Sequence, residues 1–319
     1  MKIDWYDAFL EALYKKYPKK SKLTEALMDL LAIERESTYR RLRKEIIFPA
    51  HEIAKIASEW NISLDEIVGN KSEDIILKTR LWNFLNPSDG DVKYVENIIQ
   101  NLSNAKNCAN MEFTEVSNKL PRALSFGFLH LNKFLLFKWM CQYVNEGNLP
   151  SFSQVSFPEK TLELMSGYYV SAKNVAVTNF IWDAKIFEYL VCDILYFHSV
   201  YLISDAEKEL VKKDLYELLD YMSKVATKGC WLETNNEVKL YISYISIDTN
   251  YSYFYSDEFK VCRVHAFGKN DIYTNNLEMI ENFKYWMNSK KRTSVQISEA
   301  DERSRIEFFR QQRQLVDTL

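Results

Sequence analysis

Four consecutive segments decide the fold of the N-terminal part: LMDLLAI at 27–33, ERESTYRRLRKE at 34–45, PAHEIAKIASEWNI at 49–62 and SLDEI at 63–67. Their apolar residues recur at intervals of three and four, the spacing that places side chains on one face of an α-helix. The pattern predicts helices over about 22–31 and 35–44. A further helix is predicted to begin near Pro49, because proline is favoured in the first helical turn.

Capping signals and one more amphipathic stretch complete this region. Ser63 and Glu66 have the spacing of a capping box, and Gly69 is placed to end the helix that they open. Residues 4–16 carry their apolar side chains on one helical face and predict a preceding helix. We therefore expect residues 1–70 to form a five-helix domain.

In order and spacing, residues 24–68 resemble the Cro/CI-type (XRE-like) helix-turn-helix family. In that family an apolar helix, a short turn and a recognition helix precede two further helices, the last often reading SLDEL. Two positions depart from the family pattern: Ala32 stands where glycine is usual in the turn, and Met28 where alanine is usual in the second helix. The resemblance implies a bacterial-type transcriptional regulator that binds double-stranded DNA sequence-specifically as a homodimer.

The segment 35–44 supplies the candidate base contacts. A helix over these residues places Thr38 and Leu42 on the core side, because residues four apart share a face. The start of this helix is the end that enters the major groove in the family it resembles. Arginine can bind guanine O6 and N7 with two parallel hydrogen bonds. The residues predicted to contact bases are Ser37, Arg40 and Arg41.

Other cations in the region are candidates for phosphate contacts. Three lysines precede or open the second helix, where free backbone amides also favour an anion. Two more cations follow the arginines of the recognition segment. Contacts of this kind make DNA binding salt-dependent. The residues predicted to contact phosphates are Lys19, Lys20, Lys22, Arg43 and Lys44.

The charge distribution leaves a second interpretation open. Residues 15–44 hold ten Lys and Arg against four Asp and Glu, although the whole chain has a net charge of −3. Residues 1–70 as a whole are balanced, with twelve basic and twelve acidic residues. Glu34 and Glu36 lie where they would repel phosphates. The alternative is therefore a protein–protein interaction or scaffold module that uses the helix-turn-helix as a docking surface.

Composition argues against an enzyme. The chain has 319 residues, which suggests about two domains, but only seven glycines. The glycine-dependent motifs GxGxxG, GxxxxGK[ST] and GxSxG do not occur. The five cysteines form no CxxC motif, and the four histidines show no metal-ligand spacing with them. We expect no catalytic residues, no metal and no cofactor.

Three features of the sequence predict where in the cell the protein is located. The N-terminus MKIDWYD is interrupted by acids and does not resemble a signal peptide. The most apolar stretch, 123–144, contains His130, Lys133 and Lys138, which a membrane span would not tolerate. Widely spaced cysteines are typical of free thiols in a reducing compartment. The sequence therefore predicts a cytoplasmic protein with no membrane partner.

The rest of the chain is expected to be a linker over 71–90 and a helix-rich sensing or dimerisation domain of α+β class over 91–319, with a sub-boundary near residue 230. The candidate partner of this domain is an effector of unknown type. Together with the N-terminal helices this makes the protein mainly α, with an antiparallel sheet flanked by helices at the C-terminus. Helices are predicted over 91–105, 120–146, 159–172, 179–198, 205–228, 277–287 and 300–317, and strands over 238–247, 251–255, 259–267 and 293–297.

Titratable and aromatic residues of this part are interpreted mainly as structural. His198 and His265 are assigned to a surface or core role, and so are three acids on the segment 179–198, Asp183, Glu188 and Asp193. The dense aromatic run over 126–143 predicts core packing, with a small-molecule pocket or a subunit interface as the alternative.

Overall fold

The computed structural model describes residues 5–60, 62–68, 75–108, 110–143, 149–257 and 259–319. Gly69 and the side chain of Glu66 lie outside this part of the chain, so the expected capping box and helix end stay predictions. The chain divides into two compact units, residues 1–76 and residues 77–319, which we call the N-terminal unit and the C-terminal unit.

The described part of the N-terminal unit is built from short helices. Their apolar faces meet in one core that includes Phe9, Leu13, Leu27 and Ile56, all fully buried. The helices are α1 (Trp5–Lys16), α2 (Lys20–Leu31), α3 (Arg35–Leu42), α4 (Ala50–Trp60) and α5 (Leu64–Val68). Each begins within about two residues of the position expected from apolar periodicity.

The C-terminal unit contains one eight-stranded mixed sheet in the order β1-β7-β6-β5-β2-β3-β4-β8. The three adjacent strands β2, β3 and β4 run parallel to one another, and all other pairings are antiparallel. The strands are β1 (Lys78–Thr79), β2 (Glu112–Ser117), β3 (Val177–Asp183), β4 (Glu237–Ser243), β5 (Tyr251–Tyr255), β6 (Lys260–His265), β7 (Asp271–Thr274) and β8 (Val295–Gln296).

This sheet corrects two expectations. The class α+β holds, but an antiparallel sheet confined to the C-terminus is wrong because β2 and β3 lie in the middle of the chain and pair in parallel. The sequence predicts no strand at β2, and β3 overlaps the start of the helix predicted over 179–198. Polar side chains in these strands make hydrogen bonds inside the sheet: Asn179 donates to Thr114 Oγ1 at 3.1 Å.

The sub-boundary near residue 230 and the linker over 71–90 are also corrected. A single apolar core joins residues from both sides of position 230, and the ring of Trp182 packs 6.2 Å from that of Phe308. Within the supposed linker, β1 pairs with β7, and Trp82 stacks on the buried Phe84 at 4.1 Å. The described residues 77–90 are therefore part of the C-terminal unit.

Helices cover both faces of the sheet. On one face, α12 packs Ile280, Phe283 and Met287 against Val116 and Ile181. The large aromatic core lies on the other face. The helices are α6 (Asp89–Asn104), α7 (Arg122–Ser125), α8 (Leu129–Cys141), α9 (Glu159–Ala172), α10 (Glu188–Ser199), α11 (Asp205–Lys228), α12 (Leu277–Arg292) and α13 (Glu302–Asp317), with 3-10 turns at Ala105–Asn107 and Phe152–Gln154.

Two details show how local sequence sets these boundaries. Ser204 and Glu207 cap α11 reciprocally, as a capping box does. The single helix expected over 120–146 is instead α7 and α8, separated near Gly127, where a Cβ atom would lie only 2.5 Å from the ring of Tyr169. Among the described residues, no helix has the length and apolar character needed to cross a membrane.

Candidate functional site

The turn between α2 and α3 forms without glycine. Ala32 ends α2 in the left-handed region, with φ of 54° and ψ of 44°. Most L-residues avoid this conformation because Cβ approaches the following carbonyl oxygen. Thr38 and Leu42 then place α3 on the core and are both buried, which confirms the expected register of this helix.

The expectation for Arg41 has to be corrected. Its Nε and Nη2 donate to the two carboxylate oxygens of Glu52 on α4, at 2.8 and 2.9 Å. The two side chains are only 13% and 9% exposed, and the guanidinium lies 5.7 Å from the ring of Phe48. Tyr6 donates a hydrogen bond to the Arg41 carbonyl at 3.2 Å. Arg41 therefore ties α3 to α4 and is not available to a base.

The other cations of α3 and the following turn are exposed and paired with acids. Arg40 lies 3.6 Å from Glu45, and about half of its side chain is exposed. Arg43 contacts Glu45 at 2.8 Å and Glu36 at 3.0 Å. Lys44 pairs with Asp7 of α1. Such surface pairs contribute at most about 1 kcal/mol each, so a phosphate can displace the carboxylate at small cost.

The three lysines at the start of α2 are all exposed. Lys19 is the residue that precedes the helix, and no side chain caps the free amides of its first turn. The ammonium group of Lys20 lies 5.8 Å from the ring centre of Tyr39 on α3. This contact places the N-terminal end of α2 beside the exposed side of α3.

One further cation was missed by the sequence reasoning. Arg35 begins α3, is exposed, and forms no ion pair with another described residue. Ser37, two positions later, is partly exposed, and its carbonyl accepts a hydrogen bond from Arg41 at 3.2 Å. The sequence signal for Arg35 is its position in the first turn of the expected recognition helix, and the denser run of cations at 40–44 obscures it.

In the C-terminal unit, most of the titratable residues considered earlier have structural partners. Asp183 accepts from the backbone amides of Lys185 and Ile247, both at 2.9 Å. His198 lies 2.9 Å from Asp205. Within the described ranges, no group of three or more His, Cys, Asp and Glu side chains is arranged to hold a metal ion.

An exception is a cluster of partly and fully buried charges where β2, β6 and β7 meet α7. Arg122 donates to both carboxylate oxygens of Asp271, at 2.6 and 2.9 Å. Burial alone would raise the pKa of Asp271, but Arg122 and a hydrogen bond with His265 hold it well below its usual range. On β2, burial raises the pKa of Glu115 to about 7, against the attraction of Arg122.

Comparison with known proteins adds no family. No family model matches this chain. Neither the curated proteins nor the solved structures contain a significant match. Function must therefore be inferred from the residues and their geometry.

Proposed function

We propose that this protein is a sequence-specific DNA-binding regulator of transcription, in which α3 enters the major groove. The observation that carries the proposal is one basic surface made by the start of α2 and the exposed side of α3. The Lys20–Tyr39 contact joins the two helices there, and Arg35 and Arg40 extend it along α3. This arrangement is typical of a helix-turn-helix on DNA.

The exposed residues divide into two roles. Arg35, Ser37 and Arg40 lie on α3 and are the candidates for base contacts, since arginine recognises guanine bidentately. Arg41 takes a positioning role through Glu52. The remaining cations, on the flanks of α3, are candidates for phosphate contacts, which add salt-dependent affinity without sequence preference. They are Lys19, Lys20, Lys22, Arg43 and Lys44.

Dimerisation belongs to the same proposal. One small helix-turn-helix module offers few base contacts, and two half-sites one helical turn apart supply the remaining affinity. The C-terminal unit would then serve oligomerisation or effector sensing. A two-fold operator is the expected target.

The test is selection of bound duplexes from a random DNA pool by the full-length protein at about 150 mM salt. The wild type is expected to enrich a two-fold motif, and an Arg35→Ala/Arg40→Ala variant is expected to lose the enrichment. An Arg303→Ala/Arg310→Ala variant removes the same charge from exposed positions on α13 and should keep it. Absence of any motif, or equal enrichment by all three proteins, would contradict the proposal.

A second candidate function is docking of another protein on the N-terminal unit. The observation that favours it is the adjacent pair Ile46 and Ile47 in the segment after α3, which are 36% and 57% exposed. A photo-crosslinking residue at position 47 distinguishes the two functions in cells. Docking predicts a crosslinked protein of defined mass and no DNA motif in the selection, whereas DNA binding predicts the motif whether or not a crosslink forms.

A further inference from the structure

A cavity of about 170 Å³ opens at the carboxyl ends of the parallel strands β2 and β3. Its wall includes Lys119 and Arg122, which follow β2, and Ile186 and Leu190, which follow β3. In sheets with parallel strands, ligands bind preferentially at this edge. The volume is comparable to the roughly 150 Å³ of an engineered protein cavity that holds benzene.

The charge on this wall is mainly positive. Arg122 is paired with Asp271, and Lys138 with Asp193. Lys119 and Lys269 also line the cavity, and neither has a carboxylate partner among the described residues. Two lysine side chains without a direct ion pair therefore lie at the same opening, where Asp271 attracts Lys269 and Asp193 attracts Lys119 only at longer range.

The position of Lys269 is unfavourable for a charged group. Burial lowers its pKa to about 7, and the nearby cations Arg122 and Lys138 act in the same direction. The energetic cost of an unpaired ammonium falls when an anion is placed beside it. The arrangement is one that a bound anion would stabilise.

Another part of the lining is apolar and includes the ring of Trp139. Trp139 is 8% exposed, and its indole Nε1–H has no acceptor among the described residues. Gly268 also lines the cavity, with φ of +59°, and a Cβ there would lie 2.8 Å from that nitrogen. Glycine thus allows the turn that carries Lys269 to lie against Trp139. Lys269 therefore lies next to an apolar part of the cavity lining.

We propose that this cavity binds a small organic anion whose carboxylate or phosphate group contacts Lys269 and Lys119 and whose apolar body lies against Trp139 and Leu190. Arg122 would orient the head group from behind while it remains paired with Asp271. Such a molecule is a candidate effector, but its binding does not require the DNA-binding activity proposed for the N-terminal unit.

The first experiment is calorimetric titration of the full-length protein, without DNA, with benzoate, phenyl phosphate and inorganic phosphate. Benzyl alcohol and benzylamine serve as neutral and cationic probes of similar shape. Saturable binding of benzoate or phenyl phosphate, and none of the alcohol or amine, is expected; the tighter of the two identifies the head group. Equal binding of the alcohol, equal binding of inorganic phosphate and phenyl phosphate, or no binding of either aromatic anion would overturn the proposal.

Two variants locate the site. Lys269→Met should weaken anion binding by about ten-fold or more, because a hydrogen bond to a charged group is lost. Lys119→Met, at an exposed position, should weaken it as well and tests the proposal if Lys269→Met does not fold. Lys133→Met removes a lysine of α8 that does not line the cavity and should leave binding unchanged. Wild-type affinity in both cavity variants would refute the assignment.

Proton uptake gives a second readout. An anion favours the ammonium form, so binding near pH 7 should take up protons at Lys269 and weaken as the pH rises above about 7. Titration in buffers of different ionisation enthalpy measures this uptake, and Lys269→Met should abolish it. Persistent uptake in that variant would contradict the contact between the anion and Lys269. The other ionisable groups around the cavity are Lys119, Arg122, Lys138, Tyr143, Tyr189, Asp193, His265 and Asp271.

Discussion

Each unit contains an arginine that binds a carboxylate with two hydrogen bonds, and the surroundings of the two pairs differ. Arg41 and Glu52 in the N-terminal unit lie between helices α3 and α4 and face Phe48 and Tyr6. Arg122 and Asp271 in the C-terminal unit are surrounded by further ionisable groups. Those groups are Glu115, Lys119, Lys138, His265 and Lys269.

The difference shows what each pair can do. A solitary pair cancels its own charge, so Arg41 and Glu52 act as a link that sets the orientation of α3. A pair inside a larger cluster does not neutralise all of its neighbours, and two groups near Arg122, Glu115 and Lys269, have pKa values shifted to about 7. Displaced titration beside a cavity is a feature of binding and catalytic sites.

The largest expected effect tests whether the C-terminal unit is one cooperative structure. Trp182 on β3 is fully buried and packs against Phe187 and Phe308. Trp182→Ala should destabilise the unit by about 3–5 kcal/mol because it leaves a large cavity. Hydrogen exchange in increasing urea should show β3 and β4 losing protection together, with the N-terminal unit unchanged.

The control for that experiment is Tyr244→Ala, at an exposed position just after β4, which should have little effect. If the strands before and after residue 230 unfolded at different urea concentrations in the Trp182→Ala protein, the single-core description would be wrong.

The next largest effect on stability is expected from breaking the pair of Arg41 and Glu52. Arg41→Met should destabilise the N-terminal unit by about 3 kcal/mol, because it leaves the Glu52 carboxylate buried without its partner. Arg40→Met removes a half-exposed arginine from the same helix and should cost less than about 1 kcal/mol. Hydrogen exchange of α3 and α4 in urea measures both. Equal stability of the two variants would contradict the positioning role of Arg41 and would make it a candidate for a DNA contact.

The helices of the N-terminal unit could be predicted because apolar residues recur at helical spacing within each segment. In α3, Thr38 and Leu42 alone fix which face of the helix meets the core. The role of Arg41 could not be predicted, because its partner Glu52 lies on another helix and no neighbouring residue in the sequence distinguishes Arg41 from Arg40. Arg35 could have been found from its place in the first turn.

In the C-terminal unit the parallel strands β2 and β3 could not be predicted from the sequence, for a physical reason. A strand buried on both faces shows no alternation, and β2 carries Glu112, Thr114 and Glu115 in six residues. These polar side chains are satisfied by distant partners, such as Asn250 for Glu115. The cavity could not be predicted from the sequence either, because Lys119 and Lys269 are far apart in the chain and come together only in the folded sheet.

The stability of the C-terminal unit is expected to depend on pH through Glu115, with an effect no larger than those of the two substitutions above. The folded protein keeps Glu115 protonated up to about pH 7, whereas the unfolded chain releases the proton near 4.5. The contribution of Glu115 to the free energy of unfolding is therefore fully present below pH 4.5 and is lost as the pH rises to about 7. The loss should be on the order of 3 kcal/mol relative to Glu115→Gln, which cannot titrate. Urea unfolding of both proteins across this range measures it, and parallel curves would contradict a buried neutral Glu115.

The smallest effect lies in the turn that precedes α3. Ala32 adopts φ of 54° at the end of α2, a position where glycine is strongly preferred. Ala32→Gly should therefore stabilise the N-terminal unit by about 0.5–1 kcal/mol, because relief of the left-handed strain exceeds the added entropy of the unfolded chain. Ala26→Gly in the middle of α2 lacks that relief and should destabilise the unit by about 1 kcal/mol. Opposite signs for these two substitutions in urea unfolding would show that the backbone of the turn before α3 is strained at Ala32, and the same sign would show that it is not.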